Sequence, residues 1–364
     1  MRFATLAFVL LCLSAGPATA GGKTQSFGQV ADAYFRAKAA QGAFSGSVII
    51  AYDGKPLLRR AYGLADRERN IASHIDDEYQ IASTTKTFTA VTVGKLVAEG
   101  RLSFDDPISR YLPDAPAAWR DITVAHLLSH ESGIPEYSAT TNSFRALMRA
   151  QRTPQEIVAL VDRLPLSFPP GSKYRYTNSD FVLLGLIVER VSGKPYETFV
   201  RETLLDPLRL GHTGFTHAQT LMPSRAHGYM KGDDGGWENA FYIDPSMLYA
   251  AGSMYSTVDD LLAWDQALYG GKVLPPALGE QMRKSRGHEY GLGFFVDAVD
   301  GHAFVGHAGS LPGFETDFQR FQDAPLTFII LSNTYRAPAE KMTRELATIY
   351  FKRCAKSHGR RCAN

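Results

Sequence analysis

Ser83-Thr84-Thr85-Lys86 sets a hydroxyl and an amine three residues apart at the start of a predicted helix. That spacing is about one helical turn, so both side chains emerge on one face. A serine hydroxyl is a weak nucleophile until a nearby base takes its proton. An amine can do this only where burial or a neighbouring cation lowers its pKa from about 10.4. The helix N-terminus adds backbone donors able to hold an oxyanion. The plain alternative is a capping Ser followed by a solvated Lys, so the pair needs company.

Two further clusters supply it. Tyr176-Thr177-Asn178 follows the loop forced by Phe168-Pro169-Pro170-Gly171 and precedes a helix. It offers a phenol and a carboxamide from a loop, where catalytic groups are commonly held. A packed aromatic and a capping Asn would explain the same residues. His307-Ala308-Gly309, followed by Ser310, comes after the strand run Ala303 to Gly306, and its small residues let a substrate approach the backbone. His212-Thr213-Gly214 has the same spelling, but it lies in a loop after Leu208-Arg209-Leu210. His307 is therefore the candidate. No Gly-x-Ser-x-Gly is present, which argues against a nucleophile elbow on a doubly wound sheet.

The elements that must carry these groups fall into two kinds. Phe27 to Ala40 reads as a helix, followed by strands Ser47 to Tyr52 and Pro56 to Tyr62, joined at Asp53-Gly54, a strong hairpin signal. Helices are predicted over Thr85 to Glu99, Ile122 to His130, Phe181 to Val191 and Val258 to Leu268, with a capping box at Thr153-Pro154-Gln155-Glu156. Strands return at Leu292 to Val296, Ala303 to Gly306, Phe314 to Phe321 and Leu326 to Leu331, and a last helix runs from about Ala337 to Phe351. Strands at both ends with helices between predict an α+β fold, in which one antiparallel sheet is assembled from both termini around a helical insertion. The sheet should use about 27–75 and 285–352 and the helical region about 84–284, within one domain over 21–352.

Composition narrows the function. The 39 Lys and Arg against 37 Asp and Glu leave a net charge of +2, without the basic excess of a nucleic-acid-binding surface. Arg2, the apolar run Leu6 to Leu13 and Ala18-Thr19-Ala20 read as a signal peptide over 1–20, so the mature chain is expected to be exported, periplasmic or extracellular. No later segment is apolar for long enough to predict a membrane span. Cys12 would leave with the signal, and Cys354 and Cys362 could close a small loop in the tail over 353–364. No metal-ligand spacing such as His-Glu-x-x-His occurs, so neither a metal nor a cofactor is expected.

In order, Ser-x-x-Lys, Tyr-x-Asn and His-x-Gly are accompanied by Leu127-Leu128-Ser129-His130-Glu131-Ser132-Gly133-Ile134, Ala251-Gly252-Ser253-Met254-Tyr255-Ser256-Thr257 and Tyr290-Gly291-Leu292-Gly293-Phe294. From about Phe27 to Tyr350 the chain thereby resembles the serine β-lactamase and penicillin-binding-protein superfamily. It is most similar to the class C-like branch, which includes class C β-lactamases, D-Ala-D-Ala carboxypeptidases, D-aminopeptidases and related esterases.

The resemblance implies a β-lactamase/transpeptidase-like fold with the site between sheet and helical subdomain. It makes Ser83 the acylated nucleophile, with Lys86 and Tyr176 as a coupled pair that takes its proton and protonates the leaving group. Asn178 would bind substrate and orient Lys86. The backbone N–H groups of Ser83 and of Ser310, after Gly309, would form the oxyanion hole. The branch's dedicated β-lactamases carry Lys-Thr-Gly where this chain has His307-Ala308-Gly309, so a fixed cation for a substrate carboxylate is missing. The expectation is an acyl-enzyme hydrolase of a small ester or a D-amino-acid-containing peptide or amide. A β-lactamase is the alternative, and a catalytically silent penicillin-binding-like protein the third. Tyr79, Tyr137, Tyr255 and Phe314 are candidates for the pocket wall or for the core. Oligomeric state is left open.

Overall fold

Asp53 and Gly54 both take positive φ, 49° and 71°, the backbone that a two-residue hairpin turn requires. They join β1 (Gly46–Tyr52) to β2 (Lys55–Tyr62). Four strands near the other terminus complete the sheet: β3 (Phe295–Val299), β4 (His302–Leu311), β5 (Phe314–Phe321) and β6 (Leu326–Ser332). The order is β3-β4-β5-β6-β1-β2, antiparallel throughout. The computed structural model describes residues 25–140 and 143–356. The expected signal segment, Cys12 and Cys362 lie outside these residues.

The central strands are apolar on both sides because both faces of the sheet are covered. Val48 and Ile50 of β1 and Phe328 and Ile330 of β6 meet the terminal helices α1 (Phe27–Ala40) and, at the other end, Ala339–Lys356. Ile49 and Ala51, with Ile329 and Leu331, point the other way into the larger core. That core is shared with α2 (Thr85–Ala98), α3 (Asn178–Ser192) and α4 (Val258–Tyr269), and the C-terminal helix is α5. Ser26 and Gln29 close a capping box on α1, which fixes where the first layer begins. No helix among the described residues is long and apolar enough to cross a membrane.

Several boundaries differ from the sequence expectation. The strand expected over Ala303 to Gly306 runs from His302 to Leu311, so His307-Ala308-Gly309 lies within it. Pairing with β5 carries these weak strand formers along, since His307 faces Phe318 and Ser310 faces Glu315 in the ladder. β3 starts at Phe295 rather than Leu292, and Ile122 to His130 is helical only over Val124–Leu128. A small sheet joins Tyr79–Gln80, just before the region expected to be helical, to Met254–Ser256 and Gly214–Phe215 within it. The last helix continues to Lys356, past the expected start of a tail at 353, and Cys354 within it is disulfide-bonded.

Candidate active site

Ser83 lies in the single turn Ala82–Thr84 that leads into α2. Ala82, just before it, holds a φ of 47°, a left-handed value that a non-glycine residue adopts at a cost of about 1–3 kcal/mol. The turn is held in place by Thr84 Oγ1, which donates to the carbonyl of His307, and by Thr316 Oγ1, which donates to the carbonyl of Ile81. Gly309 of β4 rests directly on this turn: a Cβ there would sit 2.3 Å from the Ile81 carbonyl oxygen. Only glycine lets the strand come so close. Segments from opposite ends of the chain are thereby clamped together.

Lys86 follows one turn later on the same face, as its spacing predicts. Its side chain is wholly buried. Nζ donates to Ser83 Oγ at 3.0 Å, to Asn178 Oδ1 at 2.8 Å and to the Ala251 carbonyl at 2.8 Å. Burial pushes its pKa down to about 7, against the opposing pull of Glu136 and Asp180. At neutral pH the amine is therefore close to half deprotonated, and it touches the hydroxyl whose proton it would take.

Tyr176 completes the group. Its hydroxyl is close enough to Ser83 to be stabilised by it, yet burial pushes the phenol well above its ordinary pKa. The neutral phenol is thus the resting form. Its ring lies 4.9 Å from Lys86 Nζ, centroid to atom, and is enclosed by His130, Phe295 and His307. Ser83, Tyr176 and Asn178 line one cavity of about 580 Å³ with Ala308, Gly309 and Ser310. Three distant sequence clusters meet at one point.

Asn178 is the first residue of α3 rather than its cap; Thr177 caps the helix through Ser179 N. Glu136 accepts from the Asn178 backbone N–H at 2.5 Å, placing a carboxylate at the helix N-terminus where it is favoured. The sheet side of the cleft is open for a geometric reason. β3 pairs with β4 only up to Gly306, so the backbone from His307 to Leu311 has β5 on one side and the cleft on the other. Such a free edge offers N–H groups to an extended ligand or an oxyanion.

His307 does not present its ring to this cavity. It is buried, its Nε2 is 2.9 Å from the Tyr290 hydroxyl and its Nδ1 is 2.6 Å from the Ala308 carbonyl. Burial, with Lys86 nearby, pulls its pKa down to about 3. The ring is neutral, with Nδ1–H donating and Nε2 accepting. Among the described residues no acid pairs with it, and the neutral ring offers no cation for a carboxylate. His212 is exposed and lies 3.2 Å from Glu78, outside the lining of this cavity. Tyr79 and Tyr137 belong to the core, Tyr255 is partly buried, and Phe314 lines a neighbouring cavity.

Sequence reasoning gave no role to His130, although it lay within a quoted motif. His130 has a φ of 59° and is wholly buried, with its ring centroid 4.3 Å from that of Tyr176. Its Nδ1 faces Asp180 Oδ2 at 3.2 Å and the Thr177 backbone N–H at 3.4 Å. Ser132 Oγ donates to Asp180 Oδ1 at 2.5 Å. Burial lifts the Asp180 carboxyl well above the usual range and drops His130 well below it, which disfavours charge on either group. Asp180 is in the first turn of α3, so this pair bolts the helix start to the back of Tyr176. A buried His next to a buried acid has no short sequence spacing that would reveal it.

A serine seated beside a buried lysine, with a tyrosine above and a free strand edge opposite, defines the serine-acylating class to which the fold also points. The chain matches the Beta-lactamase family over residues 31–350 and belongs to it. It is 29% identical to penicillin-binding protein 4* of Bacillus subtilis over 315 residues, covering 80% of this chain and 68% of that one. Among solved structures it is similar to a D-stereospecific amidohydrolase from Streptomyces sp., at 29% identity and a TM-score of 0.73, covering 86% and 96% of the two chains. In fold it also matches a D-amino acid amidase from Ochrobactrum anthropi SV3, with a TM-score of 0.80 at 24% identity over 90% of this chain and all of that one.

Proposed function

We propose that this chain is a serine hydrolase that forms an acyl-enzyme on Ser83 and cleaves an ester or a D-amino-acid-containing peptide or amide. The observation that carries the reading is the buried Lys86 amine, bonded to Ser83 Oγ and brought to about pH 7 by its surroundings. Lys86 takes the Ser83 proton as Oγ adds to the substrate carbonyl carbon. The oxyanion is held by the backbone N–H groups of Ser83 and Ser310. Tyr176 passes its proton to the leaving group as the carbonyl–leaving-group bond breaks, and Lys86 returns one to the phenol. Water then hydrolyses the Ser83 ester.

Lys86 rather than Tyr176 is the acylation base in this scheme, because burial raises the phenol and lowers the amine. The D-amino-acid preference is supported by the amidohydrolase named above. β-Lactam hydrolysis is the weaker reading, since the neutral, buried His307 gives a β-lactam carboxylate no fixed cation. We place the protein outside the cytoplasm, on the signal-like segment 1–20 and the disulfide at Cys354.

Intact-mass spectrometry after a fluorophosphonate or fluorescent penicillin tests the nucleophile. One adduct is expected on the native chain and none on Ser83→Ala; equal labelling of both removes the assignment. A nitrophenyl ester is expected to exceed a chromogenic cephalosporin in kcat/KM, and the reverse ranking would favour the β-lactamase.

A further inference from the structure

Past the end of β4 lies a second cavity, of about 710 Å³. Ser310 lines the catalytic cavity, and the residues that follow it, Leu311 and Pro312, line this one. Gln80, shortly before the nucleophile, lines it too. The strand edge facing Ser83 therefore leads directly into it.

The charged lining of this second cavity is of one sign. Arg69 and Arg225 contribute, and among the described residues no aspartate or glutamate does. Arg69 approaches Asp66 at 3.7 Å. Arg225 has no ion pair or side-chain hydrogen bond among the described residues. Its pKa is drawn down rather than up, so no acidic partner holds it. Arg225 is exposed, and it lines the cavity with its guanidinium open to an incoming anion. The catalytic cavity, by contrast, is lined by charges of both signs, Glu315, Glu340 and Lys341.

Which part of a substrate reaches Arg225 follows from the proton donor. Tyr176 lines the catalytic cavity, so the leaving group it protonates departs there and the acyl chain extends the other way, along Ser310 to Pro312. We propose that the cavity around Arg225 is an acyl-side subsite for substrates whose acyl portion carries a carboxylate. The proposal rests on the serine-hydrolase reading above for its place in the reaction. A volume of about 710 Å³ is within the usual range for small-ligand sites. Phe241, Tyr242 and Phe314 line it for the methylenes, and the planar fork of Arg225 suits a carboxylate.

The test compares 4-nitrophenyl hydrogen adipate, 4-nitrophenyl hexanoate and 4-nitrophenyl 6-aminohexanoate. The adipate ester is expected to lead the hexanoate by about tenfold in kcat/KM at low salt, with the cationic ester last. Arg225→Gln should abolish that lead, bringing adipate and hexanoate turnover in that variant to within about twofold of each other. Equal turnover of adipate and hexanoate by the native chain, or a lead that survives Arg225→Gln, overturns the proposal.

A second measurement needs no turnover. Monomethyl adipate titrated calorimetrically into Ser83→Ala should bind, and about tenfold more weakly when Arg225→Gln is added. No difference between the two overturns the anion site. Arg225-dependent binding without acylation of Ser83 by any of the three esters would instead retain the site and refute the hydrolase.

Discussion

The two walls of the cleft are built differently. The helical wall carries side chains locked in a buried polar network: Lys86 has three acceptors, and Asp180 ties Ser132 and His130 behind Tyr176. The sheet wall presents small residues and an unpaired strand edge, with its one imidazole turned away to Tyr290. Proton transfer needs fixed pKa values and distances, which burial provides on the first wall. Recognition needs room and free backbone, which a truncated neighbouring strand provides on the second.

If that division is right, damage to the helical wall should affect chemistry and damage to the sheet wall should affect geometry. The largest effect is expected for Lys86→Met, which should slow acylation by about 10²–10⁴-fold, measured as the nitrophenol burst. Its Tm should hold or rise, because a buried amine is replaced by an apolar chain of similar length. A burst of native size would return the base role to Tyr176.

Gly309→Ala comes next. The added Cβ meets the Ile81 carbonyl oxygen, so β4 and the nucleophile turn must separate. A displacement of about 1 Å costs about 10²-fold in kcat/KM. Native kinetics for that variant would show that the clamp is not needed.

His130→Asn should lower kcat about tenfold with KM nearly unchanged, since asparagine tolerates the positive φ but removes the ring behind Tyr176. A rise in KM alone would reassign His130 to substrate binding.

The smallest effect is that of pH. The neutral amine is the competent form, so acylation should rise with pH, pass half its maximum near 7 and level off above, with loss below. A midpoint near 10 would mean that Lys86 is solvated during turnover.

Much of this arrangement was legible in the sequence. Helix α1 was read to its first and last residue, and the structure closes its start with a capping box of Ser26 and Gln29. Asp53-Gly54 announced its turn. Ser83, Lys86, Tyr176 and Asn178 were all chosen, and all line or touch one cavity. What stayed hidden depended on pairing at a distance. His307 to Leu311 join a strand only because β5 lies alongside, and His307 turns inward only because Tyr290 is there to meet it. Arg225 and Arg69 are far apart in sequence, and nothing local tells that they share a cavity.

The hydrogen bond from Thr84 to the His307 carbonyl joins positions 223 residues apart. Closing so long a loop is entropically uphill until the last strands are present. A chain emerging from synthesis therefore holds its nucleophile, lysine and tyrosine long before it holds an oxyanion wall. Reactivity should switch on late and all at once, when the C-terminal strands dock. Fragments ending before His302 should bind no acylating probe, however well their helices form.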